Sequence, residues 1–359
     1  MRTPPSTQHV TVAQRLQRTL LVFLSRLPAS LQRLLARPAT NTAGDTMAPD
    51  VALLMKLGES GPDYSDLPPV EARATTERDL LLFASRIAPC AVEEEIAIGD
   101  GLLATRYSNG TPERGLVLFF HGGGFVIGSR ASYTAPVRML AHDTGADVVS
   151  VEYRLAPEHP FPAAQDDALA AWRYVVKYAP SWGVDPHRIV VAGESAGGNI
   201  AAVLCQQVRG EAVQPMLQVL IQPVTDLVDH RPSQDEFAGS PALSAKQVAW
   251  FVENYLPAGT DVADPRVSPY RASSLEGLAP AIVNLAGFDP LHDDGLAYAT
   301  ALLEAGVPAR VDREAGLVHG YLSYTAVSPS CRKATERLVA SISGALRPTE
   351  HTPTITKAS

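Results

Sequence analysis

An α/β fold, with a mostly parallel sheet covered by helices on both faces, is predicted by three observations. Short apolar runs alternate with helical stretches along most of the chain. Several runs, Leu116–Phe120 and Ile189–Ala192 among them, are apolar throughout, as strands buried on both faces must be. A chain of 359 residues, 46% apolar and 19% charged, can also bury a core of that size.

The first 44 residues stand apart: they carry Arg2, Arg15, Arg18, Arg26, Arg33 and Arg37 and no acidic residue. Val12, Leu16, Leu20, Phe23, Leu24 and Leu27 recur at helical spacing as far as Pro28, and Leu31, Leu34 and Leu35 start a second such pattern. Three readings stay open for this basic amphipathic extension, residues 1–45. It packs on its own protein, it is flexible, or residues 11–37 lie on an anionic membrane surface. From Asp50 to Ala88 the pattern is helical with Pro and Gly interruptions.

Strands are then predicted at Leu102–Tyr107, Leu116–Phe120, Val148–Val151, Ile189–Ala192, Leu217–Ile221, Ala281–Leu285 and Ala309–Asp312, with helices at Ala163–Tyr178, Ala196–Arg209 and Leu296–Ala305. Between Thr225 and Tyr270 a Pro-rich stretch and the helical run Ser244–Tyr255 break the alternation, which marks an insertion over the sheet. The threonine-rich tail 347–359 reads as disordered.

A net charge of −8 argues against nucleic acid as a partner. Cys90, Cys205 and Cys331 are too few and scattered for a disulfide framework or metal cluster. No run approaches the ~20 apolar residues of a membrane-spanning helix. The expectation is a soluble cytoplasmic protein without metal or cofactor.

Two glycine-rich turns carry chemistry. Gly193-Glu194-Ser195-Ala196-Gly197 lies between a strand and a helix, where a sharp turn exposes a serine hydroxyl as a nucleophile. Gly-x-Ser-x-Gly alone is weak: three fixed positions at roughly 7% each recur by chance in about one chain in ten. The second turn, His121-Gly122-Gly123-Gly124-Phe125, also follows a strand. Its Gly122 and Gly123 amides, with that of Ala196, are candidate donors to an oxyanion. A phosphate-binding reading fails on spacing, because a dinucleotide fingerprint needs glycine at Ile127 and no Gly-x-x-x-x-Gly-Lys exists.

His121-Gly-Gly-Gly-Phe125, Glu152-Tyr-Arg-Leu-Ala-Pro-Glu-His-Pro-Phe-Pro162, Gly193-Glu-Ser-Ala-Gly-Gly198, Asp264-Pro-Arg-Val-Ser-Pro269, Asp289-Pro-Leu-His-Asp-Asp-Gly295 and His319-Gly-Tyr321 occur in this order. In them the chain resembles the bacterial hormone-sensitive-lipase family of esterases over roughly residues 50–345. The resemblance implies an α/β-hydrolase fold with Ser195 as nucleophile, Asp289 as acid and His319 as base, in the chain order of such enzymes. It implies a catalytic domain of residues 91–226 and 263–346 under a helical cap of residues 46–90 and 227–262. Phe125, Glu194, Leu243, Phe251 and Tyr255 are its candidate substrate contacts, and Glu194 is expected to brace the nucleophile from beneath.

His121 is expected to brace its loop, and His292, Asp293 and Asp294 to support the Asp289 loop rather than bind metal. Glu158 and His159 read as architecture, and His142, His187 and His230 as surface residues. The implied activity is hydrolysis of short-to-medium acyl esters, small-molecule substrates, through an acyl-enzyme. Long-chain lipase, amidase and lactonase activities would use the same residues. The family's receptor members lack the histidine that stands here at 319. Relatives are often dimers, which suggests a homodimer.

Overall fold

The computed structural model describes residues 12–58, 63–99, 101–111 and 114–347; residues 1–11 of the basic extension and the tail from 348 lie outside them. Eight strands form one sheet, β1 (Val92–Ile98), β2 (Leu102–Ser108), β3 (Leu116–Phe120), β4 (Asp147–Glu152), β5 (Ile189–Glu194), β6 (Leu217–Ile221), β7 (Ala281–Phe288) and β8 (Ala309–Val318). Their order is β1-β2-β4-β3-β5-β6-β7-β8. β1 and β2 pair antiparallel, as do β2 and β4, and every later pair is parallel.

The fully apolar strands are buried on both sides because alternate residues face alternate helix layers. Leu116, Leu118 and Phe120 of β3 join one core, packed by α6 (Ala163–Tyr178), α7 (Ala196–Gln207) and α10 (His292–Glu304). Val117 and Phe119 join the other, packed by α3 (Pro49–Gly58), α5 (Thr134–Thr144) and α11 (Pro329–Leu346).

β1 was not predicted from the sequence: Val-Glu-Glu-Glu-Ile-Ala-Ile lacks a clean alternation because it is an edge strand whose first four residues are exposed. β8 runs on to Val318, past the predicted end at Asp312. As the opposite edge it tolerates Asp312, Arg313 and Glu314, and Leu285 pairs with Arg313. The extension has a functional consequence. β7 delivers Asp289 and β8 delivers His319, each as the next residue after the strand. α5 and α11 were not predicted either, and α10 starts at His292 rather than Leu296.

Upstream of the sheet lie α1 (Val12–Ser25), α2 (Ala29–Leu35), α3 and α4 (Pro69–Phe83). The insertion holds α8 (Pro232–Glu236) and α9 (Ala245–Tyr255), whose start is fixed by a reciprocal cap between Ser244 and Gln247. The two segments touch. Tyr64 packs on Trp250 and Phe251 at ring separations of 5.9 and 5.8 Å, and Gln247 and Lys246 bond to Asp63 and Asp66. No helix among the described residues is long and apolar enough to cross a membrane.

Candidate active site

Strand β5 ends at Glu194 and α7 begins at Ala196, so the turn between them consists of Ser195 alone. Its φ of 55° and ψ of −117° are a strained conformation for a residue with a side chain. The turn is held by the Ser195 amide, which donates to the Ile221 carbonyl at 2.8 Å.

The loop after β3 brings His121-Gly-Gly-Gly-Phe alongside. Gly123 has φ +119°, a region essentially reserved for glycine, and its carbonyl accepts from the amides of Val126 and Ile127. The amides of Gly122 and Gly123 donate to no backbone carbonyl among the described residues. Ala196 is the first residue of α7, whose amide the helix leaves without a partner. His121 is fully buried, donates Nδ1–H to the Gly122 carbonyl at 2.8 Å and stacks on Tyr153 with ring centroids 4.2 Å apart. Burial pushes its pKa down and favours the neutral ring.

Ser195, His319 and Asp289 meet in one hydrogen-bonded row. The Ser195 hydroxyl donates to His319 Nε2 at 3.0 Å, and His319 Nδ1–H donates to Asp289 Oδ2 at 2.9 Å. Asp289 Oδ1 accepts from the Leu291 amide at 2.8 Å, which fixes the carboxylate plane. Burial pulls the imidazole pKa down, but the charge and hydrogen bond of Asp289, with Glu194 behind it, outweigh burial and leave it above the ordinary value. A neutral imidazole so placed can take the serine proton, and the carboxylate stabilises the cation that results.

Two supporting residues carried no sequence signal. Gln222, at φ 48°, donates from Nε2 to the Val318 carbonyl at 3.0 Å and accepts on Oε1 from the Gly320 amide at 2.8 Å, clasping the His319 turn on both sides. Tyr133 donates to buried Glu194, whose pKa is raised by burial and partly restored by that hydrogen bond. A glutamine in the left-handed region and a partner 61 residues away are properties of the fold, invisible to motif spacing.

A cavity of about 590 Å³ rises over Ser195 and His319. Phe125, Glu194, Leu243, Phe251 and Tyr255 all line it. Phe125 and Tyr255 are nearly parallel, with ring centroids 3.8 Å apart, so α9 is docked on the glycine loop. Further walls come from Tyr64, Phe83 and, unforeseen, from Gln17 and Leu21 of α1.

Of the other singled-out residues, Asp294 accepts from the Thr225 amide and hydroxyl, and Asp293 from the Ser233 amide, tying α10 to the loop after β6. Glu158 pairs with Arg73, which also donates to the carbonyls of Val126 and Ala156. His142 and His230 are exposed and half-open to other partners, Ala88 and Asp235.

A family model described as alpha/beta hydrolase fold matches residues 117–323. An ethyl acetate hydrolase of Pseudomonas putida is 36% identical over 298 residues, which cover 77% of this chain and 92% of its own. Esterase LipI of Mycobacterium tuberculosis is 45% identical over 229 residues, 63% of this chain and 71% of that protein. An esterase structure from Pyrobaculum calidifontis superimposes with a TM-score of 0.76 at 36% identity, covering 81% of this chain and 97% of the other.

Proposed function

Since the chain belongs to the alpha/beta hydrolase fold family, in its hormone-sensitive-lipase-like branch (family IV), we propose that it is a carboxylesterase of short-to-medium acyl esters using Ser195, His319 and Asp289. The observation that carries the reading is the unbroken hydrogen-bonded row from Asp289 to Ser195 at the foot of an apolar cavity.

His319 Nε2 takes the hydroxyl proton while Ser195 Oγ bonds to the ester carbonyl carbon, and the carbonyl oxygen becomes an oxyanion facing the amides of Gly123, Ala196 and Gly122. Collapse breaks the bond to the alcohol oxygen, which leaves with the proton from His319. Water then attacks the acyl-enzyme, giving its proton to His319, and release of the acid returns that proton to Ser195. Residues 46–90 and 227–262 act as the cap, whose aromatic side chains shape the acyl site.

The testing experiment is the rate on p-nitrophenyl esters of rising acyl length. Each methylene the cavity accepts adds up to ~0.8 kcal/mol of binding, or about fourfold in kcat/KM, until the chain meets the wall. The expected profile climbs, breaks in the short-to-medium range and falls. A folded protein with no ester turnover at any length would overturn the proposal.

A pH series tests the base. kcat/KM falls on the acid side as His319 becomes protonated, at a pH above the ordinary imidazole value because its pKa is raised. The negative charge of Glu194 contributes to that rise, so Glu194→Gln moves the acid limb to lower pH. An unmoved limb would remove Glu194 from the electrostatics of the base.

A further inference from the structure

Helix α1 is amphipathic, but the apolar side chains it turns inward are Leu21, Val22 and Leu24. Leu16, Leu20 and Phe23, spaced i, i+4, i+7 on one face, are left 66%, 56% and 63% exposed. The next helix repeats the pattern: Leu31, Leu34 and Leu35 are exposed while Gln32 and Ala36 are buried. Scattered exposed leucines need no explanation, but two successive helices with apolar stripes turned outward do.

The charge beside these stripes is of one sign. Arg15, Arg18, Arg26, Arg86 and Arg332 line one groove with Thr19, Ser85 and Thr325, and no acidic residue among the described ones lines it. Only Arg332 of the five has a carboxylate partner among the described residues, Glu336 at 3.0 Å. Arg18 donates to the Ala84 carbonyl at 3.0 Å, and its pKa is lowered, by burial first and by the neighbouring Arg86 second. Arg33 and Arg37 continue the series along and beyond α2. An apolar face flanked by unpaired arginines is the physical requirement for a helix lying in the interface of an anionic bilayer. The leucines enter the acyl boundary and the guanidinium groups meet lipid phosphates.

We propose that α1 and α2 seat the protein on the surface of anionic phospholipid bilayers. α1 is then shared between two surfaces, with Leu16, Leu20 and Phe23 on lipid and Gln17 and Leu21 at the wall of the cavity over Ser195. The docking itself stands apart from the catalytic reading.

The test is flotation of the full chain, without substrate, on vesicles of phosphatidylcholine alone and on vesicles containing about 30% phosphatidylserine. The expected result is recovery with the anionic vesicles, at least tenfold more than with the neutral ones, and release as salt rises from about 0.05 to 0.5 M. Leu20→Ser/Phe23→Ser and, separately, Arg15→Gln/Arg26→Gln should each cut recovery at least tenfold. Both variants should keep the parent's turnover of a water-soluble short-chain ester, which reports folding. No flotation by the parent, or flotation untouched by both variants, overturns the proposal. So does concentration-dependent self-association that Leu20→Ser/Phe23→Ser abolishes while vesicles stay bare, because the face would then belong to a second copy. Binding of inorganic phosphate without vesicle binding would make the groove a soluble-anion site and overturn it too.

Discussion

Ser195→Ala lowers kcat/KM for a p-nitrophenyl ester by about 10⁴–10⁶-fold and leaves the protein folded. The size follows from the role, since no other hydroxyl in the row can form the acyl-enzyme. The mild structural effect follows from what the hydroxyl touches. It makes one hydrogen bond, to His319 at 3.0 Å, worth about 1 kcal/mol, and alanine bears the φ of 55° no worse than serine. His319→Ala should match the loss of activity but unfold sooner, because it strips the buried Asp289 carboxylate of its imidazole partner. The double variant should be no slower than Ser195→Ala alone, as expected of groups that act as one unit. Stopped assays with thermal melts on the three variants check this. Residual turnover within tenfold of the parent for Ser195→Ala would sink the assignment of the nucleophile.

The parts of the site that were legible from sequence are those where chemistry dictates residue type at fixed spacing. A nucleophile on a one-residue turn needs small neighbours on both sides, so Gly193 and Gly197 mark Ser195 as the candidate. The interior strands were legible for a similar reason, being apolar on both faces. The edges were not. β1 and the end of β8 face solvent on one side, and their glutamates and arginines masked the pairing. Gln222 and Tyr133 were equally hidden, since each acts through partners supplied by remote strands and loops. The periodicity of α1 showed an apolar face but not which part of it the protein would cover. Leu21 and Val22 went inward and Leu20 and Phe23 did not, a choice settled by packing on α3 and α4.

Gly197→Ala should damage stability and catalysis together, although it adds a single methyl group. A Cβ on Gly197 would stand 2.1 Å from the Phe120 carbonyl oxygen and 2.6 Å from that of His121. Both obstacles are backbone, at the end of β3 where the oxyanion loop begins, so no side chain can swing away. Nor can α7 retreat freely. Gly193 lies against it just as closely, its would-be Cβ 2.1 Å from the Gly197 carbonyl oxygen, and Pro223 closes on Gly198 from the next strand's loop. Relief therefore requires β3 and α7 to part, which costs about 3 kcal/mol and a fall in Tm of roughly 4 °C for a chain of this length. The same movement separates the Ala196 amide from those of Gly122 and Gly123. A displacement of about 1 Å at the reacting atoms is worth at least ~10²-fold in kcat/KM. Gly344→Ala on α11 supplies the control, since nothing lies within 4 Å of its would-be Cβ and a helical alanine is favoured by up to ~1 kcal/mol. Melting temperatures of the two variants should move in opposite directions, and kcat/KM should fall for Gly197→Ala while staying at the parent's value for Gly344→Ala. A Gly197→Ala protein as stable and active as the parent would mean that the contact between β3 and α7 is not what sets the distance from nucleophile to oxyanion donors.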